Sequence, residues 1–168
     1  MPPLYPVSLQ VRDRRIVIVG AGQVALRRAR ALVRAGAGVT VVAPRFGNGF
    51  ARLAVDCLKA AFRPAHLDGA SLAYAATDSA QVNASVARAA RARGIPVNLA
   101  DDPLQSDFHV PAVVRSGTVT VAISTAGASP ALARRLLREI GAMLRRGYAD
   151  LALKFRRLRA KVLASGLP

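Results

Sequence analysis

Apolar and polar residues alternate along this chain in blocks, not one by one. Arg15–Val19 is a strand-sized apolar run, and residues 24–35 then mix Val24, Leu32 and Val33 with Arg27, Arg28, Arg30 and Arg34. The run predicts a buried strand, and the mixed block an amphipathic helix ended by Gly36 and Gly38. Residues 39–43 predict the next strand, stopped by Pro44. Residues 50–55 predict a short helix and residues 58–62 a strand. Residues 72–76 predict a strand leading into a loop at Thr77 and Asp78. Residues 81–93 predict a helix closed by Gly94 and Pro96, and residues 97–100 a further strand. Strands alternating with helices predict an α/β fold with a Rossmann-like, doubly wound parallel sheet. Ligands of such sheets lie beyond the carboxyl ends of the strands. Gly20 to Gly22, Ala43 to Arg45, Thr77 to Asp78 and Asp101 to Pro103 are therefore expected around one crevice.

The pattern changes near Pro103. Residues 110–114 and 118–124 are β-rich runs separated by Ser116-Gly117, a hairpin signal. Ser129-Pro130 then places Ser at an N-cap and Pro at the first helical position. That helix is expected to run to about Arg146, with Gly147 interrupting and a basic helical segment over 148–163. The expected organisation is a dinucleotide-binding domain over 1–109, a small hairpin and helical dimerisation and substrate-binding region over 110–147, and a basic tail over 148–168. Two short strands and a few helices bury little alone, which is why this region is expected to pair with a second copy.

The junction of the first strand and helix reads Gly20-Ala21-Gly22-Gln23-Val24-Ala25, the dinucleotide-binding form G-x-G-x-x-A. Gly20 permits a tight turn, Gly22 lets the backbone approach a pyrophosphate, and Ala25 allows close packing of helix on strand. The free N–H groups of Gln23 and Val24 then face an anion, with the helix dipole in support.

Composition sharpens this picture. Lys and Arg number 25 against nine acids, a net charge of +16. Such a field attracts polyanions: nucleic acid, an acidic membrane, or a small molecule with many carboxylates or phosphates. The bland alternative is an Arg-rich bias that inflates solvated helix faces. Basic residues are not interleaved with aromatics, and aromatics are only 5%, so nucleic acid is the weaker reading. The single Cys57 excludes an internal disulfide framework and a Cys-based zinc cluster, and reads as a core residue. The first nine residues show no basic region followed by an apolar segment, and no run reaches the ~20 residues of a membrane helix. The expectation is a soluble cytoplasmic protein that does not engage a membrane.

Six motifs, in order, resemble a known family. They are Leu9-Gln10-Val11-Arg12-Asp13-Arg14; Val19-Gly20-Ala21-Gly22-Gln23-Val24-Ala25 with Arg27-Arg28; Ala75-Ala76-Thr77-Asp78 with Val82-Asn83; Val97-Asn98-Leu99-Ala100-Asp101-Asp102-Pro103; Phe108-His109-Val110-Pro111-Ala112; and Ser124-Thr125-Ala126-Gly127-Ala128-Ser129-Pro130 with Ala133-Arg134. Together they resemble the N-terminal module of siroheme synthase and the single-function precorrin-2 dehydrogenases, over roughly residues 4 to 140. The resemblance implies NAD-dependent oxidation of precorrin-2, a polycarboxylate tetrapyrrole, to sirohydrochlorin, and a homodimer with interlocking central segments. Some relatives also insert ferrous iron.

In that light Gly20, Gly22, Gln23 and Val24 are expected to hold the pyrophosphate. Ala43, Pro44 and Arg45 would border the adenosine ribose, and Thr77 and Asp78 the nicotinamide half. Asp101 matches the family's key aspartate, and burial would let it accept a proton during oxidation. Read without the family, the commoner role for Asp101 is to cap a loop beside Pro103; the resemblance makes Asp102 the weaker candidate, because relatives vary there. His109 could meet a substrate carboxylate or serve structure alone; His66 sits in a loop pattern with no assigned role. Ser124, Thr125, Gly127 and Ser129 lead into a helix N-terminus, a seat for a carboxylate, with Arg134, Arg135 and Arg138 nearby. No cluster with metal-ligand spacing stands out. One departure is plain: no Asp or Glu lies between Asp13 and Asp56, where a ribose anchor is usual. By charge alone Arg45 hints at a 2′-phosphate and NADP; the resemblance favours NAD. The alternative class is a nucleotide sensor or nucleic-acid module that uses the basic tail.

Overall fold

The computed structural model describes residues 4–145 and 147–165. The chain divides into two compact units, Tyr5–His109 and Val110–Pro168 with Met1–Leu4. The first holds five parallel strands, β1 (Arg15–Val19), β2 (Gly38–Ala43), β3 (Asp56–Lys59), β4 (Leu72–Ala75) and β5 (Val97–Leu99), in the order β3-β2-β1-β4-β5. Helices α1 (Gln23–Arg34) and α2 (Ala80–Arg91) connect them. β1 is central, with Ile16 opposite both Val39 and Leu72. Ile16, Val17 and Ile18 are fully buried, as a strand covered on both faces requires; each such side chain contributes about 1.5–3 kcal/mol. Val17, Val19, Ala73, Ala75, Val86, Ala90, Val97 and Leu99 make one continuous core.

The sheet matches the Rossmann-like expectation, with corrections at one edge. The strand expected at 58–62 is β3, Asp56–Lys59. Pairing sets its limit: Ala60 N–H donates to Ala43 O at 3.1 Å, and the next residue of the neighbour, Pro44, has no N–H to continue the ladder. Cys57 is exposed, not a core residue, because all four residues of this edge strand are exposed. The helix expected at 50–55 is absent. Isolated turns replace it, Phe50 N–H to Gly47 O and Leu53 N–H to Phe50 O. Phe50 is buried and meets Phe46 edge-on at 5.6 Å, so an apolar anchor of an irregular loop resembled a helix face. His66 lies in a 3-10 turn, Pro64–Leu67, where its Nδ1 accepts from Arg63 N–H at 3.0 Å.

The second unit has an antiparallel hairpin, β6 (Ala112–Ser116) and β7 (Val119–Ile123), and helices α3 (Pro130–Leu144) and α4 (Tyr148–Ala164). Ser129 caps α3, its hydroxyl accepting from Leu132 N–H at 3.2 Å. The expected helix end at Arg146 falls outside the described residues, as does the end of the tail, 166–168. No helix among the described residues is long and apolar enough to cross a membrane.

Candidate functional site

Parallel strands bring their carboxyl ends to one edge of the sheet, and the strand order reverses between β1 and β4. That is where an open α/β sheet forms its ligand crevice. The turns after β1, β2, β4 and β5 all leave this edge, as expected.

The turn after β1 is tight because it passes directly beside the end of β4. Gly20 has φ +111, and a Cβ there would stand 2.2 Å from Ala76 O. Gly20 N–H donates to Val42 O at 2.9 Å, and Ala76 N–H to Val19 O at 2.8 Å. Gly22 differs: a Cβ on it would meet nothing within 4 Å. It is the N-cap of α1, with no side-chain cap and no acid in the first turn. Ser79 caps α2 and Ser129 caps α3. The first bond into α1 runs from Leu26 N–H to Gly22 O, so the N–H groups of Gln23 and Val24 remain available, with open space before Gly22. This cradle fits the pyrophosphate of a dinucleotide. At the end of β2, Ala43 is buried and Arg45 exposed, and no carboxylate is present for a ribose. Arg28, expected on the polar face of α1, is half-buried near Tyr74; its Nε has no hydrogen-bond partner among the described residues. Burial holds its guanidinium below the usual arginine range, which the Tyr74 phenol opposes, while burial pushes Tyr74 up.

Asp101 follows β5 and is exposed, so the burial expected to tune it is not present in this structure. Its Oδ2 accepts from Asn83 Nδ2 at 2.9 Å. The loop-capping role open to Asp101 belongs to Asp102, whose Oδ1 and Oδ2 accept from Gln105 N–H and Nε2 at 3.1 and 2.8 Å. Thr77 is half-buried and Asp78 exposed. Asn83, only 1% exposed, also donates to Thr77 O at 3.1 Å and accepts from Thr77 N–H at 3.2 Å and Oγ1 at 2.8 Å.

Sequence reasoning left Asn83 outside the site; an Asn one turn into a helix after a Thr-Asp loop was the available signal. It also missed how residues 102–108 cover the edge of β5. Asp107 Oδ2 accepts from Val97 N–H and Ser106 Oγ from Leu99 N–H, both at 2.9 Å, which blunts an otherwise open edge. His109 is half-buried, its Nε2 donating to Pro103 O at 2.9 Å. The neutral ring then offers only Nδ1, an acceptor, so it could meet a carboxylate only as the imidazolium.

In the second unit, residues 124–129 form a turn with Ala126 and Gly127 at φ 49 and 86. Ser124 Oγ accepts from Ala126 N–H and Thr125 Oγ1 from Ser129 N–H, each at 3.2 Å. Among the described residues, neither hydroxyl donates to a protein acceptor. Arg134 and Arg138 are exposed, and Arg135 pairs with Glu139 at 2.9 Å. Among the described residues, no three His, Cys, Asp or Glu side chains gather where they could hold a metal ion.

Comparison with known proteins bears on these features together. Residues 7–112 match the family profile described as "Putative NAD(P)-binding", and residues 117–143 the profile described as "Sirohaem biosynthesis protein central". The chain is 42% identical over 152 residues to a siroheme synthase of Chromobacterium violaceum, covering 88% of this chain and 32% of that protein. It is 40% identical over 163 residues to siroheme synthase 1 of Aeromonas salmonicida, covering 95% and 35%. The chain thus spans about a third of the length of these curated relatives. Among solved structures, SirC, precorrin-2 dehydrogenase, superposes with a TM-score of 0.78 at 26% identity, over 94% of this chain and 79% of that one.

Proposed function

Because the chain belongs to the NAD(P)-binding family whose profile spans residues 7–112, we propose that it oxidises precorrin-2 to sirohydrochlorin with NAD as the oxidant. The observation that carries the reading is that Asp101 and the Thr77 loop leave neighbouring strands and are tied to one buried amide. NAD held at the Gly20–Val24 turn would supply the hydride acceptor. The chain's own residues bind, orient and take up a proton. Gly20, Gly22, Gln23 and Val24 cradle the pyrophosphate, Ala43, Pro44 and Arg45 border the ribose, and Thr77 and Asp78 flank the nicotinamide half. Asp101 is the proton acceptor. His109, Ser124, Thr125, Gly127, Ser129 and Arg134 receive substrate carboxylates, through hydroxyl protons, N–H groups and positive charge. The net charge of +16 draws such a polyanion toward the protein.

The test is anaerobic incubation with precorrin-2 and NAD, followed by absorbance. NADH and sirohydrochlorin are expected together, and the absence of both sinks the reading. The cofactor choice has its own measurement. NAD is expected to bind more tightly than NADP, and Arg45→Ala to keep that order. A strong NADP preference that Arg45→Ala abolishes would reverse it.

The working form is a homodimer. Tyr148, Leu151, Phe155, Leu158 and Val162 are all exposed on α4, at alternating spacings of three and four that align them on one helix face. A second copy covering that stripe would recover about 1.5–3 kcal/mol per fully buried side chain. Phe155→Glu with Leu158→Glu is expected to convert a dimer to a monomer by sedimentation. An unchanged sedimentation coefficient contradicts this interface.

A further inference from the structure

We propose that Asn83 is a positioning residue that fixes which oxygen of Asp101 takes the proton and couples that oxygen to the loop at Thr77. This rests on the dehydrogenase reading above. The orientation of the Asn83 amide is not arbitrary. Thr77 N–H can only donate, so the atom it meets at 3.2 Å is Oδ1, and Nδ2 must point the other way. Thr77 Oγ1 lies 2.8 Å from Oδ1 and 3.1 Å from Ser79 O, and its one proton goes to the nearer oxygen, Oδ1. The two Nδ2 hydrogens go to Thr77 O at 3.1 Å and Asp101 Oδ2 at 2.9 Å. The amide has two donors and two lone pairs, and all four are used. A side chain only 1% exposed has no water to substitute for a lost partner, so the arrangement resists rotation.

The consequence falls on Asp101. Its Oδ2 already accepts an N–H, which makes that oxygen the weaker base, whereas Oδ1 has no protein partner among the described residues. A proton leaving the substrate therefore goes to Oδ1. The bond to hydrogen breaks, its electron pair stays with the tetrapyrrole and enters the new conjugation, and an O–H bond forms on Asp101. The hydride lost alongside it is taken by NAD, so substrate loss and oxidant gain balance. Asp101 later returns its proton to solvent. The same amide grips three atoms of Thr77, so the loop expected beside the nicotinamide and the carboxylate expected beside the substrate cannot drift apart.

Two variants separate the two grips. Asn83→Asp keeps an oxygen for Thr77 N–H and Oγ1 while giving up the donor to Thr77 O, and sets a carboxyl against Asp101; the pair must share a proton, and Asp101 stops being a free acceptor. Expected are NADH affinity within about threefold of wild type and kcat reduced about 100-fold, the scale of a misplaced catalytic group. Asn83→Ala releases both grips and is expected to weaken NADH binding about tenfold as well, by the loosened loop. A merely structural role would move binding and turnover together in both variants. Wild-type kcat in Asn83→Asp, or equal loss of NADH affinity in both variants, overturns the proposal. If the wild type itself produces no sirohydrochlorin, the dehydrogenase reading fails. The coupling is then judged on NADH titration alone, where Asn83→Ala must bind more weakly than Asn83→Asp.

Discussion

Asp101→Ala is expected to leave NADH affinity within about threefold of wild type and to lower kcat by about 10²–10⁴-fold, the range over which a positioned general base contributes. The split follows from geometry. Asp101 lies after β5 and, among the described residues, is tied to the cofactor loop only through Asn83 Nδ2. The Thr77 loop keeps its other bonds to Asn83, at Thr77 O, N–H and Oγ1. Folding should survive at a cost of about 1–3 kcal/mol for the Asn83 Nδ2 hydrogen left without its partner, because Asp101 itself is exposed and the capping of its loop falls to Asp102. Steady-state kinetics with precorrin-2, beside NADH fluorescence titration, reads both quantities. Unchanged turnover would remove the proton-accepting role.

The second large effect separates two glycines of one motif. Gly20→Ala is expected to unfold the first unit or to lower its stability by more than ~3 kcal/mol, by strain plus overpacking. It would hold an alanine at φ +111 with its Cβ 2.2 Å from Ala76 O, and that oxygen belongs to the backbone that carries Thr77. Gly22→Ala meets nothing within 4 Å and should leave the melting temperature unchanged. Its methyl would instead stand where a pyrophosphate approaches. NADH should bind about 10–100-fold more weakly, the cost of about 1.4–2.7 kcal/mol. Thermal unfolding and NADH titration on both variants distinguish these roles. Loss of stability in Gly22→Ala, or a normally stable Gly20→Ala, would contradict the division.

The first β-α-β unit was legible because three signals coincide there: a buried apolar run, glycines at fixed offsets, and a helix with a clear polar face. The hairpin and the Ser129-Pro130 start of α3 were legible for a similar reason, since turn and cap residues act locally. What escaped was set by distant partners. β3 ends where Pro44 of its neighbour can no longer pair, which the sequence around residue 58 does not reveal. Cys57 lost its expected burial because an edge strand leaves its side chains in solvent, and the helix expected at 50–55 gave way to a loop whose Phe50 packs on Phe46. Asn83 escaped because a polar residue inside a helix pattern reads as surface, and only the loops after β4 and β5 give its amide four partners. The Asp101 position was visible, but its surroundings were not: the sequence suggested a dry carboxylate, and the structure has an exposed one held by a buried amide.

The most direct test of the account is stoichiometry. Under anaerobic conditions, with enzyme in excess over precorrin-2 and NAD supplied, absorbance should report NADH and sirohydrochlorin rising together in a one-to-one ratio. Sirohydrochlorin formed without NADH, or neither species formed, would contradict the claim that this chain couples NAD reduction to tetrapyrrole oxidation.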